Sequence, residues 1–191
     1  MAWEVEYTNE FEAWWNDLSG SEQNALNNSV ELLIKHGPLL AYPYSSGIFH
    51  SKHDHMRELR QQHAGRPLRI LYAFDQRRTA ILLIGGDKTG NDHWYKTYIP
   101  IADHIYDEYI DELKKEGSMA KKFEELRTKM SPESRAESEA AAQKILDEKF
   151  PLSIENLRSQ MEVMGGQLQL VARFPDGVVK TFDLSDYSRI L

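Results

Sequence analysis

Apolar and polar residues alternate over Trp3-Glu-Val-Glu-Tyr7, the period of a half-buried strand. Asn9 then reads as the N-cap of a helix from Phe11 to Leu18. Between Ser21 and His36 the apolar residues Ala25, Val30, Leu33 and Ile34 recur at helical spacing, and Gly37-Pro38 supplies the stop. The period changes in the middle. Met56 to Gln61, Leu68 to Phe74 and Thr79 to Ile84 are short apolar or alternating runs, separated by Ala64-Gly65 and by the polar turn Asp75-Gln-Arg-Arg78. They predict a three-stranded antiparallel meander. Gly85-Gly86 and Thr89-Gly90-Asn91 read as a loop after it. Ile101, Ile105, Tyr109 and Leu113 then form one helical stripe ending at Lys114-Lys115-Glu116-Gly117. The order β-α-α-β-β-β-α predicts an α+β domain over residues 1–117, an antiparallel sheet with flanking helices.

Gly117-Ser118-Met119 reads as a small junction, and a second segment, 118–191, follows. It predicts helices over 122–149 and 153–164: Ser131 caps with Pro132 at the first helical position, Pro151 breaks, Ser153 caps again and Gly165-Gly166 closes. A hairpin is expected over 167–183, its turn written as Pro175-Asp176-Gly177. The strand Leu168 to Phe174 has the character of an exposed edge, which predicts a homodimer through this hairpin.

Composition narrows the chemistry. The 191 residues include no cysteine, which excludes disulfides, thiolate metal sites and a cysteine nucleophile. The first residues show no basic and apolar signal region, and the longest apolar runs, such as Ala80 to Ile84, fall far below the roughly 20 residues of a membrane helix. A cytoplasmic protein without a membrane span is expected. The formal charge of −7 argues against a nucleic-acid partner until its distribution is examined. Residues 51–98 hold nine basic side chains (Lys52, Arg57, Arg60, Arg66, Arg69, Arg77, Arg78, Lys88, Lys96) against five acidic ones (Asp54, Glu58, Asp75, Asp87, Asp92). A basic strip is thus set inside an acidic chain.

Three groups of residues in or beside the strip could carry chemistry. On an extended strand Glu58 and Arg60 share one face while Arg57 and Leu59 share the other, so a sheet with several Arg residues could pair with phosphate bidentately. The same pattern also fits a solvated face with cross-strand Glu–Arg pairs. The stretch from Gly85 to Lys96 lacks the spacing of a nucleotide phosphate loop, since Lys88 precedes Gly90. It nevertheless places Lys88, His93, Tyr95 and Lys96 beside glycines, groups suited to proton transfer and anion stabilisation; a polar loop with Trp94 and Tyr95 packed as lids is the plainer alternative. His50, His53, His55 and His63 invite a metal reading, but a site needs three or four ligands of defined geometry, so neither a metal nor a cofactor is expected.

Residues 1–117 resemble the HigB-like toxins of the RelE/ParE superfamily. The resemblance is carried by Met56-Arg-Glu-Leu-Arg60, Arg66 to Asp75, Ile81 to Gly90, Trp94-Tyr95-Lys96 and Ile101 to Tyr106. It implies ribosome-dependent, metal-independent mRNA cleavage by attack of a ribose 2′-OH on the adjacent phosphate. By the same resemblance Arg69 and Lys88 stabilise the pentacovalent phosphate and Tyr95, helped by His93 or Lys96, orients or transfers a proton. Arg57, Arg60, Arg66 and Lys96 are the expected RNA-binding residues. Glu58 departs from the pattern, standing where a Lys of the proton-transfer pair is expected. Residues 119–191 are similar to HigA-like antitoxins of the Xre class through Lys122 to Glu133 and Val163 to Gly177, but lack the helix-turn-helix, so operator DNA is not an expected partner. The resemblance implies a toxin held latent by intramolecular contact with an antitoxin segment that covers or displaces groups near Arg69, Lys88 and Tyr95. Its rivals are a non-enzymatic binding module, such as a topoisomerase inhibitor, and an antitoxin-type regulator.

Overall fold

The computed structural model describes residues 3–90, 93–115, 120–149, 169–173 and 179–183. The elements are β1 (Glu4–Tyr7), α1 (Asn9–Asn16), α2 (Gly20–His36), a 3-10 turn (Gly37–Leu39), β2 (Ser45–Gly47), β3 (Arg57–His63), β4 (Arg66–Phe74), β5 (Thr79–Asp87), α3 (Trp94–Lys115), β6 (Lys121–Lys122), α4 (Phe123–Lys129), α5 (Pro132–Lys149), β7 (Gln169–Arg173) and β8 (Val179–Asp183). The first six strands make one mixed sheet in the order β2-β3-β4-β5-β1-β6, with β1 parallel to β5 and the other neighbours antiparallel. The class is α+β, and the meander β3-β4-β5 lies within the sheet. The short strands β2 and β6 have no apolar alternation to announce them; backbone pairing to β3 and β1 defines them.

Local chemistry explains where the elements start and stop. Thr8, rather than Asn9, caps α1: its hydroxyl accepts from the Phe11 amide at 3.3 Å and donates to the Leu83 carbonyl at 2.7 Å, tying the helix start to β5. A reciprocal capping box between Ser19 and Glu22 opens α2. Ala64 and Gly65 join β3 to β4 with φ of 48° and 79°, both positive, as a tight primed hairpin turn requires.

Gly85 and Gly86 do not form a loop; β5 runs through them to Asp87. A Cβ at Gly85 would lie 2.0 Å from the Trp14 ring, and one at Gly86 would lie 2.9 Å from the Trp94 indole nitrogen. Successive strand positions point to opposite faces, so α1 covers one face and α3 the other, each seated on a glycine. The apolar stripe of α3 is also displaced from expectation. The helix begins at Trp94, which anchors it; Ile99, Ala102, Ile105, Tyr106 and Tyr109 face the core while Ile101 is exposed.

The chain divides into two compact units, Met1–Lys144 and Ile145–Leu191. Packing therefore continues past residue 117. β6 pairs antiparallel with β1, and Phe123 packs edge-on against Trp15 at 5.4 Å between centroids. Arg127 pairs with buried Glu31 at 3.1 Å, Lys121 and Lys129 pair with Glu12, and the Ser138 hydroxyl donates to the Asn24 carbonyl. The region 122–149 is two helices, divided at Met130 and Ser131, the residue read as a cap, whose hydroxyl accepts from the Ser134 amide at 3.1 Å. In the second unit β7 and β8 pair antiparallel from Gln169–Asp183 to Arg173–Val179. The expected junction 117–119, helix 153–164 and turn 175–177 lie outside the described residues.

Candidate active site

Register brings the basic strip to one place. Arg60 on β3 lies directly opposite Arg69 on β4, and Arg69 lies opposite Gly86 on β5. All three share the face covered by α3. Two guanidinium groups side by side repel. Glu58, two residues from Arg60 on the same face, supplies the compensating charge.

The Glu58 carboxylate is the hub. Only 3% of the residue is exposed, and each oxygen has two partners. Oε1 accepts from the Ser46 hydroxyl at 2.8 Å and from Arg60 at 3.3 Å. Oε2 accepts from the Tyr95 hydroxyl at 2.8 Å and lies 3.5 Å from the Arg69 Nε. At that distance Arg69 has an ion pair but no hydrogen bond through Nε, and among the described residues no other acceptor reaches this nitrogen. The residue is 5% exposed, so the missing hydrogen bond is a real energetic cost. A further acceptor, such as a phosphate oxygen, would relieve it.

Tyr95 reaches this hub because Trp94 is packed on Gly86 and stacked on Tyr98 at 4.4 Å, which fixes the first turn of α3. Burial, followed by hydrogen bonding to Glu58 and its charge, pushes the Tyr95 phenol above its ordinary value. It is protonated at neutral pH and acts as a donor. The Lys88 ammonium sits 5.0 Å above the Tyr95 ring, adding positive charge on the loop side. His93 and Lys96 are exposed on either side of Tyr95 in sequence.

Other expected residues lie elsewhere. Arg57 projects to the opposite face, where it donates to Ser45, to Tyr72 and to the Leu40 carbonyl. Arg66 is held by Asp87 and by Glu22 at the start of α2. Arg69, Lys88, Tyr95 and Arg60 are thus brought together, and Arg57 and Arg66 are not. His53 and His55 bind Asp107 and Tyr106 respectively, and no cluster of three or more metal-ligating side chains occurs among the described residues.

Beside the hub opens a cavity of about 760 Å³, lined by residues from 46 to 100 including Glu58, Arg60, Tyr95 and Lys96. The ion pairs and side-chain hydrogen bonds linking 120–144 to the earlier chain go instead to Glu4, Glu12, Asn24, Glu31 and Lys35. These sit on β1, α1 and α2, which tie 120–144 to that part of the earlier chain. Sequence reasoning placed Glu58 on the Arg60 face, with cross-strand Glu–Arg pairs as one reading, and as a departure from the family pattern; it did not single out Ser46 or Phe49. The alternation of Glu58 and Arg60 was the one available signal for the hub.

Residues 13–107 match the family described as phage-derived protein Gp49-like (DUF891). A protein named as toxin HigB3 of Mycobacterium tuberculosis is 40% identical over 100 residues, covering 52% of this chain and 86% of that relative. A second from the same organism, named as toxin HigB2, is 37% identical over 100 residues, covering 51% of this chain and 50% of its own length. No solved structure matches the chain significantly.

Proposed function

Because this chain belongs to the phage-derived Gp49-like family of HigB-named toxins, we propose that its α+β domain is a ribosome-dependent mRNA endonuclease. The observation that carries the reading is the buried Arg69, short of one acceptor, meeting Tyr95 on the Glu58 carboxylate, with Glu58 and Tyr95 both lining the adjacent cavity.

In the proposed reaction the Glu58 carboxylate takes the proton of a ribose 2′-OH, and the freed oxygen forms a bond to the adjacent phosphorus. The P–O5′ bond breaks, the 5′-oxygen takes the Tyr95 proton, and the products are a 2′,3′-cyclic phosphate and a 5′-hydroxyl. Proton return from Glu58 to Tyr95, already joined at 2.8 Å, resets the pair. Arg69, Arg60 and Lys88 hold the extra negative charge of the pentacovalent phosphate. His93 and Lys96, exposed beside Tyr95, meet the flanking backbone. Glu58 thus fills the general-base role that the sequence pattern left without a lysine.

The segment from 118 onward is proposed as a HigA-like, antitoxin-derived piece whose first part is built into the toxin fold at β1, α1 and α2. Exposed Val171 and Val179 occupy one face of the β7–β8 hairpin, which supports pairing with a second copy.

The test is primer-extension mapping of mRNA cleavage by the full chain in a ribosome-containing extract. Arg69→Ala is expected to lower cleavage about 10²- to 10³-fold, the usual loss for one charge-stabilising group. Equal cleavage by wild type and Arg69→Ala removes the nuclease reading, and topoisomerase inhibition without cleavage selects the binding-module alternative.

A further inference from the structure

The cavity next to the hub is more apolar than a phosphate site needs. Its walls include Ile48, Phe49, Ile99 and Pro100, with Arg60 and Lys96 as basic groups. Phe49 is 84% exposed, the most exposed large hydrophobic side chain among the described residues. The second is Tyr42, at 72%, and its ring carries the Arg60 guanidinium at 5.2 Å. The most exposed aromatic ring thus lines this cavity and the second carries the Arg60 guanidinium that also lines it, while aromatic residues elsewhere, such as Trp15, Trp94 and Tyr72, are buried. His50, directly after Phe49, has a φ of 70°, an uncommon backbone state for a residue other than glycine, in the turn that presents the ring.

Exposed aromatics interleaved with basic groups in a concave site match single-stranded nucleic acid, whose bases stack and whose phosphates pair. We propose that this cavity is a nucleobase subsite, in which Phe49 stacks on an unpaired base flanking the cleaved phosphate while Arg60 and Lys96 hold the backbone. This rests on the endonuclease reading for the identity of the strand, an RNA single strand. A cavity of about 760 Å³ is within the range of sites that enclose a small organic group, with room for one base and its sugar.

The test uses the full chain and a readout without cleavage: calorimetric binding of a three-nucleotide RNA with one 2′-deoxy sugar, at the nucleotide whose hydroxyl would attack. Phe49→Ala is expected to weaken binding roughly 5- to 150-fold, the equivalent of about 1–3 kcal/mol for one stacked base. Phe49→Trp is expected to retain it, and an abasic central residue in the probe to reproduce the Phe49→Ala loss on wild type. The exposed position of Phe49 keeps both variants folded. Overturning results are an unchanged affinity in Phe49→Ala, equal binding of intact and abasic probes, no binding at millimolar probe, or a free mononucleotide binding as tightly as the strand. Base-dependent binding with no cleavage in the ribosomal extract would sink the nuclease reading and leave the subsite standing.

Discussion

Glu58 decides the character of the site, because two arginines paired across β3 and β4 are tolerable only with an anion between them. The same carboxylate receives the Tyr95 proton donor, so neutralising it tests charge balance and proton transfer together. Glu58→Gln is expected to lower the single-turnover cleavage rate about 10²- to 10⁴-fold, the usual contribution of a positioned base. Affinity for the 2′-deoxy probe is expected to hold or rise, since a negative group beside the phosphate is lost. A fall in affinity with an unchanged rate would assign Glu58 to binding rather than proton transfer. Arg69 was legible from the sequence through the family pattern; the hub was not, because it depends on the cross-strand register that sets Arg60 opposite Arg69 and on the distant start of α3.

At the scale of elements, the contact between β5 and α3 sets the position of Tyr95. Gly86→Ala would push a methyl group against the Trp94 indole and so displace the first turn of α3. The strain is expected to cost about 1–3 kcal/mol, as overpacking does, and to lower cleavage while the variant remains folded by circular dichroism. Full activity with the same melting temperature would show that this contact does not position the tyrosine. The meander, both early helices and the antiparallel hairpin were readable from periodicity and turn residues. The extension of β5 through Gly85-Gly86 was not, since two glycines in a row signal a loop unless the tryptophans packing on them are known. Thr8 likewise displaced Asn9 as a cap through a bond to β5 that no local pattern records.

At the scale of the whole molecule, residues 120–144 are held within the unit Met1–Lys144 by both apolar packing and charge. Phe123 is 1% exposed against Phe11 and Trp15, and Phe123→Ala is expected to destabilise this unit by about 3–5 kcal/mol in urea unfolding. A change under 1 kcal/mol would mean that β6 and α4 are loosely attached. The charged part is pH-dependent. Hydrogen bonding from Lys121, then Lys129, holds Glu12 below the ordinary carboxylate range despite some desolvation. A depressed folded-state value gives stability that is present above the unfolded value near 4 and is lost as pH falls through the folded one. Glu31 runs the other way: burial outweighs Arg127 and raises it, so its contribution is lost as pH rises. Melting temperature is expected to drop below about pH 4, and Glu12→Gln to reduce that drop; an identical acid profile in the variant would exclude the Glu12 contacts as its source.

The chain's net charge of −7 conceals the basic strip over residues 51–98, and in the proposed function that strip matters only if it meets RNA. The most direct measurement is single-turnover cleavage of mRNA on programmed ribosomes by the full chain, comparing wild type, Arg69→Ala and Glu58→Gln and analysing the product ends. The account predicts 2′,3′-cyclic phosphate and 5′-hydroxyl ends from wild type and at least roughly a hundredfold slower reaction in both variants. Wild-type rates in both variants, or no cleavage by any of the three, would contradict it.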